Sequence, residues 1–189
     1  MPYLTAAQVR ARVPALVNTT MFSDSEINLL VGEFEEIAER YRGVSFTPRN
    51  HTETFTRPST SLLLSRQPVR SITSFTVDGV AGDVTDLTVD LATGKIQGGR
   101  WTLSTPVSVT YSHGLDAPPA VVLRACAEYC RSVAMSDRSG QSRDVIAQSF
   151  DGGITRYSTP DFTRGRPTGF LEVDRLLSSV RDYRMTAVA

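Results

Sequence analysis

"VSVTYSHGLDAPPAVVLRACAEY", Val107 to Tyr129, changes its period part-way through. Val107, Val109 and Tyr111 alternate with Ser108, Thr110 and Ser112, the spacing of a strand with one buried face. Past His113-Gly114 the rhythm lengthens. Pro118 and Pro119 open a helix, in whose first turn a missing N–H costs nothing. Val121, Val122, Ala125, Cys126, Tyr129, Val133 and Ala134 then form one apolar stripe that runs to about Ser136. The junction separates a strand-rich segment from a helical one, so the chain reads as an α+β protein.

Upstream, Thr5-Ala-Ala-Gln8 and Ser23-Asp-Ser-Glu26 are capping boxes. The first predicts a short helix from Ala6 to about Arg12, ended by Pro14. The second predicts a long helix with Ile27, Leu30, Val31, Phe34, Ile37, Ala38 and Tyr41 on one face and Gly43 as its stop. Glu33, Glu35, Glu36 and Glu39 lie on the opposite face, and from Asp24 to Arg42 six acids meet two arginines. That face is expected either to be solvated or to meet arginines of another subunit.

From His51 to Tyr111 the period falls toward two, with strands predicted near 51–56, 60–65, 70–77, 84–91, 95–97, 101–104 and 106–112. Asp78-Gly79 and Thr93-Gly94 are turn dipeptides, Trp101 is the expected anchor, and Pro58, Pro68 and Pro106 mark strand starts or edges. Downstream, "DRSGQSRD" (Asp137 to Asp144) breaks the long helix. Between Gln148 and Phe170, three Gly-Pro-rich interruptions alternate with Phe150, Ile154, Tyr157, Phe162 and Phe170, too broken for a helix and too apolar for a spacer. A last helix is expected from Thr168, with Val173, Leu176, Leu177, Val180 and Tyr183 on one side and Arg181 and Arg184 in its last turn. The expected plan is a small α-helical bundle (1–50 and 114–138), an inserted antiparallel β domain (51–113), and an extended C-terminal arm ending in a helix (139–189).

A hydrophobic content of 40% against 21% charged residues suits a chain that folds on its own core without a disulfide or metal. The formal net charge is zero, which argues against binding nucleic acid by charge. Lys95 is the single lysine, so the cations are almost all arginine, whose forks suit carboxylate partners. Cys126 and Cys130, one helical turn apart, read as two small buried thiols rather than a disulfide. No apolar run reaches the roughly 18 residues of a membrane span, and "MPYLTAAQVR" lacks a secretory pattern, so the expected site is the cytoplasm or a particle assembled there.

The chemistry-bearing residues do not cluster in sequence. His51 and His113 stand alone, each expected to be surface or hydrogen-bonded; Gly98-Gly99 lacks the residues of a phosphate loop; Asp83, Asp86 and Asp90 lack a calcium-loop pattern. No catalytic, cofactor or metal residue is assigned. In the arm, Arg164 and Arg166 flank Phe162, but residues 139–189 hold seven arginines and six acids. Such balance suits a protein partner, with arginine and aromatic anchors. The candidate interface residues are Phe150, Ile154, Arg156, Tyr157, Phe162, Arg164, Arg166, Phe170, Leu176, Arg181, Tyr183 and Arg184.

The strand ending Val109-x-Tyr111, then Gly114, then a Pro-opened helix with Ala125, resembles the head–tail connector (adaptor) proteins of tailed bacteriophages. The acidic helix from Ser23 to Arg42 is similar to that family's first long helix, and "RPTGFLEVDRLLSSVRDYR" (Arg166 to Arg184) looks like the C-terminal helix of adaptors from phages of actinobacteria. The resemblance implies a non-enzymatic virion protein of the neck, in a dodecameric ring beneath the portal. Implied partners are the portal protein, neighbouring copies of itself and a head–tail stopper or tail protein; genomic DNA passes through the lumen without sequence-specific binding, and no membrane is involved. Residues 140–170 are then expected to be loosely held until they dock on the portal or a neighbouring copy. An alternative is a carbohydrate- or cell-surface-binding β module of a virion, which predicts an exposed aromatic platform including Trp101 and Tyr111.

Overall fold

The computed structural model describes residues 2–56, 61–98, 105–139, 145–148, 155–157 and 167–182. It is an α+β fold divided into two compact units, one formed up to Arg42 and again from Pro119 to Arg181, the other from Gly43 to Pro118.

The first unit contains α1 (Ala6–Arg12), α2 (Asp24–Arg42), α3 (Ala120–Ser139) and α4 (Leu171–Ser178). Helix α1 begins where its capping box places it: Gln8 N–H donates to Thr5 Oγ1 at 3.3 Å and Thr5 N–H to Gln8 Oε1 at 2.9 Å. Ser23 Oγ accepts from Glu26 N–H at the start of α2. The prolines precede α3 rather than sit inside it, and the Pro119 carbonyl accepts from Val122 and Leu123 N–H. Ile27, Leu30, Val31, Phe34 and Ala38 of α2 are buried, as are Val122, Ala125, Cys126, Tyr129, Cys130, Val133 and Ala134 of α3. Val121, expected in that stripe, faces outward. Both thiols are free, and the hydrogen bond from Cys130 followed by burial pushes the Cys126 thiol up, so it stays protonated and inert.

Two expectations about the C-terminal part need correction. The segment read as an irregular arm contains an antiparallel pair, β8 (Val145–Gln148) with β9 (Thr155–Tyr157). Its strands are β-branched and aromatic runs separated in sequence by Gly152-Gly153, a hairpin signal that the surrounding prolines and glycines obscured. Helix α4 starts at Leu171, not Thr168, and ends at Ser178, so Arg181 lies beyond it and Arg175 is the basic residue of its last turn.

The second unit holds β1 (Arg49–Phe55), β2 (Ser61–Leu63), β3 (Val69–Val77), β4 (Val80–Gly82), β5 (Leu87–Asp90), β6 (Lys95–Gly98) and β7 (Val107–His113). They form a four-stranded sheet, order β1-β7-β3-β4, and a three-stranded sheet, order β2-β6-β5, antiparallel throughout. Leu62, Leu64 and Ile96 meet Val69, Phe75, Val107, Val109 and Tyr111 in one core. Asp78 and Gly79 both have positive φ, as a two-residue hairpin between right-twisted strands requires, and β4 is the short strand this turn returns. Gly114 has φ 97° and lies where a Cβ would fall 2.5 Å from the Thr47 carbonyl, so glycine alone fits the exit from β7. Residues 84–86, expected as strand, are a single 3₁₀ turn, because Asp83 Oδ1 captures Thr85 N–H. The strand expected at 101–104, and Trp101 with it, lies outside the described residues.

Tyr111 is fully buried, and its hydroxyl joins three strands' connections. It donates to Glu53 Oε2 at 3.1 Å and accepts from Arg66 N–H at 3.1 Å, while Ser65 donates to the same carboxylate through N–H and Oγ. We expect Tyr111→Phe to cost about 1–2 kcal/mol, because the Arg66 amide loses its acceptor in a part-buried place; urea unfolding of the full chain measures it.

The two histidines, far apart in sequence, stand together beside that tyrosine, with ring centroids 6.1 Å apart. Burial, then the neighbouring His51, Arg66 and Arg49, hold the His113 pKa below its ordinary 6.5. The unfolded chain therefore takes up this proton at a higher pH than the folded one. Its contribution to stability is complete above 6.5 and is lost as the pH falls through the lower folded value. Thermal unfolding from about pH 7.5 to about pH 5.5 should show a falling midpoint, with a shallower fall in His113→Gln.

Candidate functional site

The acidic helix was expected to present its carboxylates to solvent or to another subunit. Most of them are used within the chain. Glu35 accepts from Tyr3 N–H at 2.5 Å and Glu39 from the Tyr3 hydroxyl at 2.8 Å. Asp24 pairs with Arg10, whose guanidinium also donates to the Phe22 and Leu16 carbonyls. Glu26 takes a two-pronged pair from Arg138 at 3.1 and 3.2 Å, and that guanidinium lies 4.0 Å over the Phe22 ring. Glu33 accepts from the Tyr129 hydroxyl at 3.4 Å. Of the six acids only Glu36 has no hydrogen bond or ion pair among the described residues.

The last turn of α2 anchors α4. Arg42 is buried, and its Nε and Nη2 both donate to the Leu177 carbonyl, at 2.7 and 2.5 Å. This supplies a partner that the end of a helix otherwise lacks. At the other end of α4, Asp174 reaches back to Thr168, accepting from its N–H at 3.0 Å and its hydroxyl at 2.7 Å. Val173 and Leu177 fill the space beneath.

Of the candidate interface residues, Phe170 is half-buried and meets Tyr129 edge-on at 6.0 Å, so its ring packs on its own chain. Leu176 is half-buried and Arg181 exposed. Arg156 and Tyr157 lie in β9. Phe150, Ile154, Phe162, Arg164, Arg166, Tyr183 and Arg184 lie outside the described residues.

A feature not anticipated from sequence is an open cleft of about 410 Å³ between the end of α1 and the first half of α3. Val13, Leu123 and Ala127 give it an apolar floor; Arg12 and Arg124 stand at its walls. Arg124 has no hydrogen bond or ion pair among the described residues, and Arg12 donates only to the Gln8 carbonyl. Unpaired arginines over an apolar floor suit a partner that brings both an acid and a small apolar surface. Only the distance in sequence between residues 12 and 124 hid it.

The outer face of the larger sheet carries rows of hydroxyls. Thr52 and Thr110 hydroxyls are 2.9 Å apart, Thr54 and Ser108 3.0 Å, and Ser74 and Thr76 continue the two rows across β3. The carbohydrate-binding alternative called for aromatics on an exposed face, but Tyr111 is wholly buried. Among the described residues no group of three or more His, Cys, Asp or Glu could hold a metal ion, and no helix is long and apolar enough to cross a membrane.

No family model matches the chain, and no curated protein does. A solved structure does match in fold: a chain from the "neck of empty GTA particle computed with C6 symmetry". The TM-score is 0.59 at 17% identity, over 97% of this chain and 91% of that one. The likeness spans both units and is one of backbone architecture.

If the Arg42 link seats α4, then Arg42→Met should destabilise the helical unit by about 1.5–3 kcal/mol. Hydrogen exchange of the amides from Val173 to Ser178 should speed up before that of α1.

Proposed function

We propose that this chain is a structural component of the neck of a phage-like particle. In this reading it is a head-to-tail adaptor that forms a ring under the portal vertex, extends the DNA channel and gives the next connector or tail component its docking surface. The observation that carries the proposal is the match in fold, nearly end to end, to a chain from a particle neck. The sequence resemblance around Val107 to Tyr129 points the same way by an independent route. A dodecamer obeys the sixfold symmetry applied to that neck, so the ring size the resemblance suggests is compatible with it.

The chemistry agrees with a passive role toward DNA. A net charge of zero supplies no general grip on phosphates, which suits a channel past which DNA slides. Specific binding falls to protein partners. The arm residues Phe150, Ile154, Arg156, Tyr157, Phe162, Arg164 and Arg166, with Leu176, Arg181, Tyr183 and Arg184, are the proposed contacts to the portal or an adjacent copy. Phe170 contributes by anchoring the arm's base on Tyr129.

Cryo-electron microscopy of particles carrying a small N-terminal tag on this chain tests the reading. Tag density should ring the head–tail junction, and deletion of the chain should leave DNA-filled heads without tails. Tag density elsewhere, or normal tailed particles after deletion, would overturn it.

A further inference from the structure

We propose that the cleft between α1 and α3 receives the outer face of α2 from a second copy of this chain. The inference rests on the neck reading for its context and goes beyond it by naming the two surfaces that meet.

The outer face of α2 is the side opposite its buried residues. At 100° per residue, Ser25, Leu29, Gly32, Glu36 and Arg40 fall on one stripe, about half a turn from Ile27, Phe34 and Ala38. Leu29 is 64% exposed, in the middle of a helix. Glu36 and Arg40 have no hydrogen bond or ion pair among the described residues. Gly32 has open space where a Cβ would be, so nothing inside the subunit calls for glycine in mid-helix, where it costs stability. A residue without a side chain is useful there if another surface comes close.

The cleft wall carries the complement at the same spacing. Along α2, Gly32, Glu36 and Arg40 recur every four residues; along α3, Ala120, Arg124 and Glu128 do the same. Four residues advance about 6 Å on either helix. Laid parallel, the stripes set Gly32 against Ala120, Glu36 against Arg124, and Arg40 against Glu128. Laid antiparallel, only the middle pair matches, with Arg40 over Ala120 and Glu128 over Gly32. The charges thus choose a direction as well as a partner. Glu128 already pairs with Arg131 within its own helix, an exposed i,i+3 contact that can be shared.

Donor face and acceptor cleft are different surfaces of one helical unit. Contact between them is heterologous, so it propagates from copy to copy until the rotation closes.

Sedimentation and native mass spectrometry of the full chain, over a range of concentration and salt, test this. Wild type should self-associate, less so in high salt. Arg124→Glu and Glu36→Arg should each weaken association at least about tenfold, and the double variant with exchanged charges should recover to within a few-fold. Gly32→Met should not lower the unfolding midpoint, since a side chain in mid-helix adds stability, yet it should weaken association at least about tenfold. These positions are exposed, and unfolding midpoints that do not fall separate lost association from lost folding. Wild type that stays monomeric to about 1 mM overturns the inference. So does association indifferent to both charge reversals: the cleft then holds a segment of its own chain or another protein. Either failure leaves the neck reading standing, because that reading is decided by the position of the tag in particles.

Discussion

Helix α2 holds the helical unit together, and it does so with its charges as well as its apolar face. Ile27, Val31, Phe34 and Ala38 supply the burial, worth roughly 1.5–3 kcal/mol for each large side chain. The carboxylates around them then fix where each neighbour lies. Tyr3 and Arg10 bind the α1 side to Glu35, Glu39 and Asp24; Tyr129 and Arg138 bind α3 to Glu33 and Glu26; Arg42 binds α4 through Leu177. Exposed pairs of this kind add little stability one by one. Their value is geometric, since a forked guanidinium that also takes backbone carbonyls, as Arg10 and Arg138 do, accepts few alternative packings.

The strand unit solves a different problem. Two small sheets share one core, so each strand has an inner and an outer character. On β7 the alternation is complete, with Val107, Val109, Tyr111 and His113 buried and Ser108, Thr110 and Ser112 half-exposed. Near the end of the inner row, Tyr111 bonds to Glu53 and the Arg66 amide, and Glu53 to Ser65. The outer row carries hydroxyls that bond across strands and present no charge.

The sequence made the α+β class legible because its signals are local. The capping boxes at Thr5 and Ser23 and the change of period at Gly114 each act within a few residues. Asp78-Gly79 announced a turn, yet β4 went unread, because Val80-Ala81-Gly82 is short and exposed and has no alternation to detect. Helix α4 ends early for both local and distant reasons. Ser178 and Ser179 hydroxyls take the Arg175 and Leu176 carbonyls, and Arg42, far away in the chain, takes that of Leu177. The candidate site was less legible still. Glu26 finds Arg138 across 112 positions, and the cleft joins α1 to α3, so the acidic face that looked available was mostly spent.

That spending shapes how such a subunit can associate. Zero net charge, with most acids of α2 already matched, leaves a weak long-range field, so encounters between free copies gain little from electrostatic steering. Specificity must then come from the few groups left unmatched, acting at contact distance where water is displaced. Interfaces of this kind are selective but slow to form in dilute solution. They become effective when copies are held side by side, because effective concentration replaces long-range attraction. Copies held side by side in a ring, as proposed above, would meet that condition.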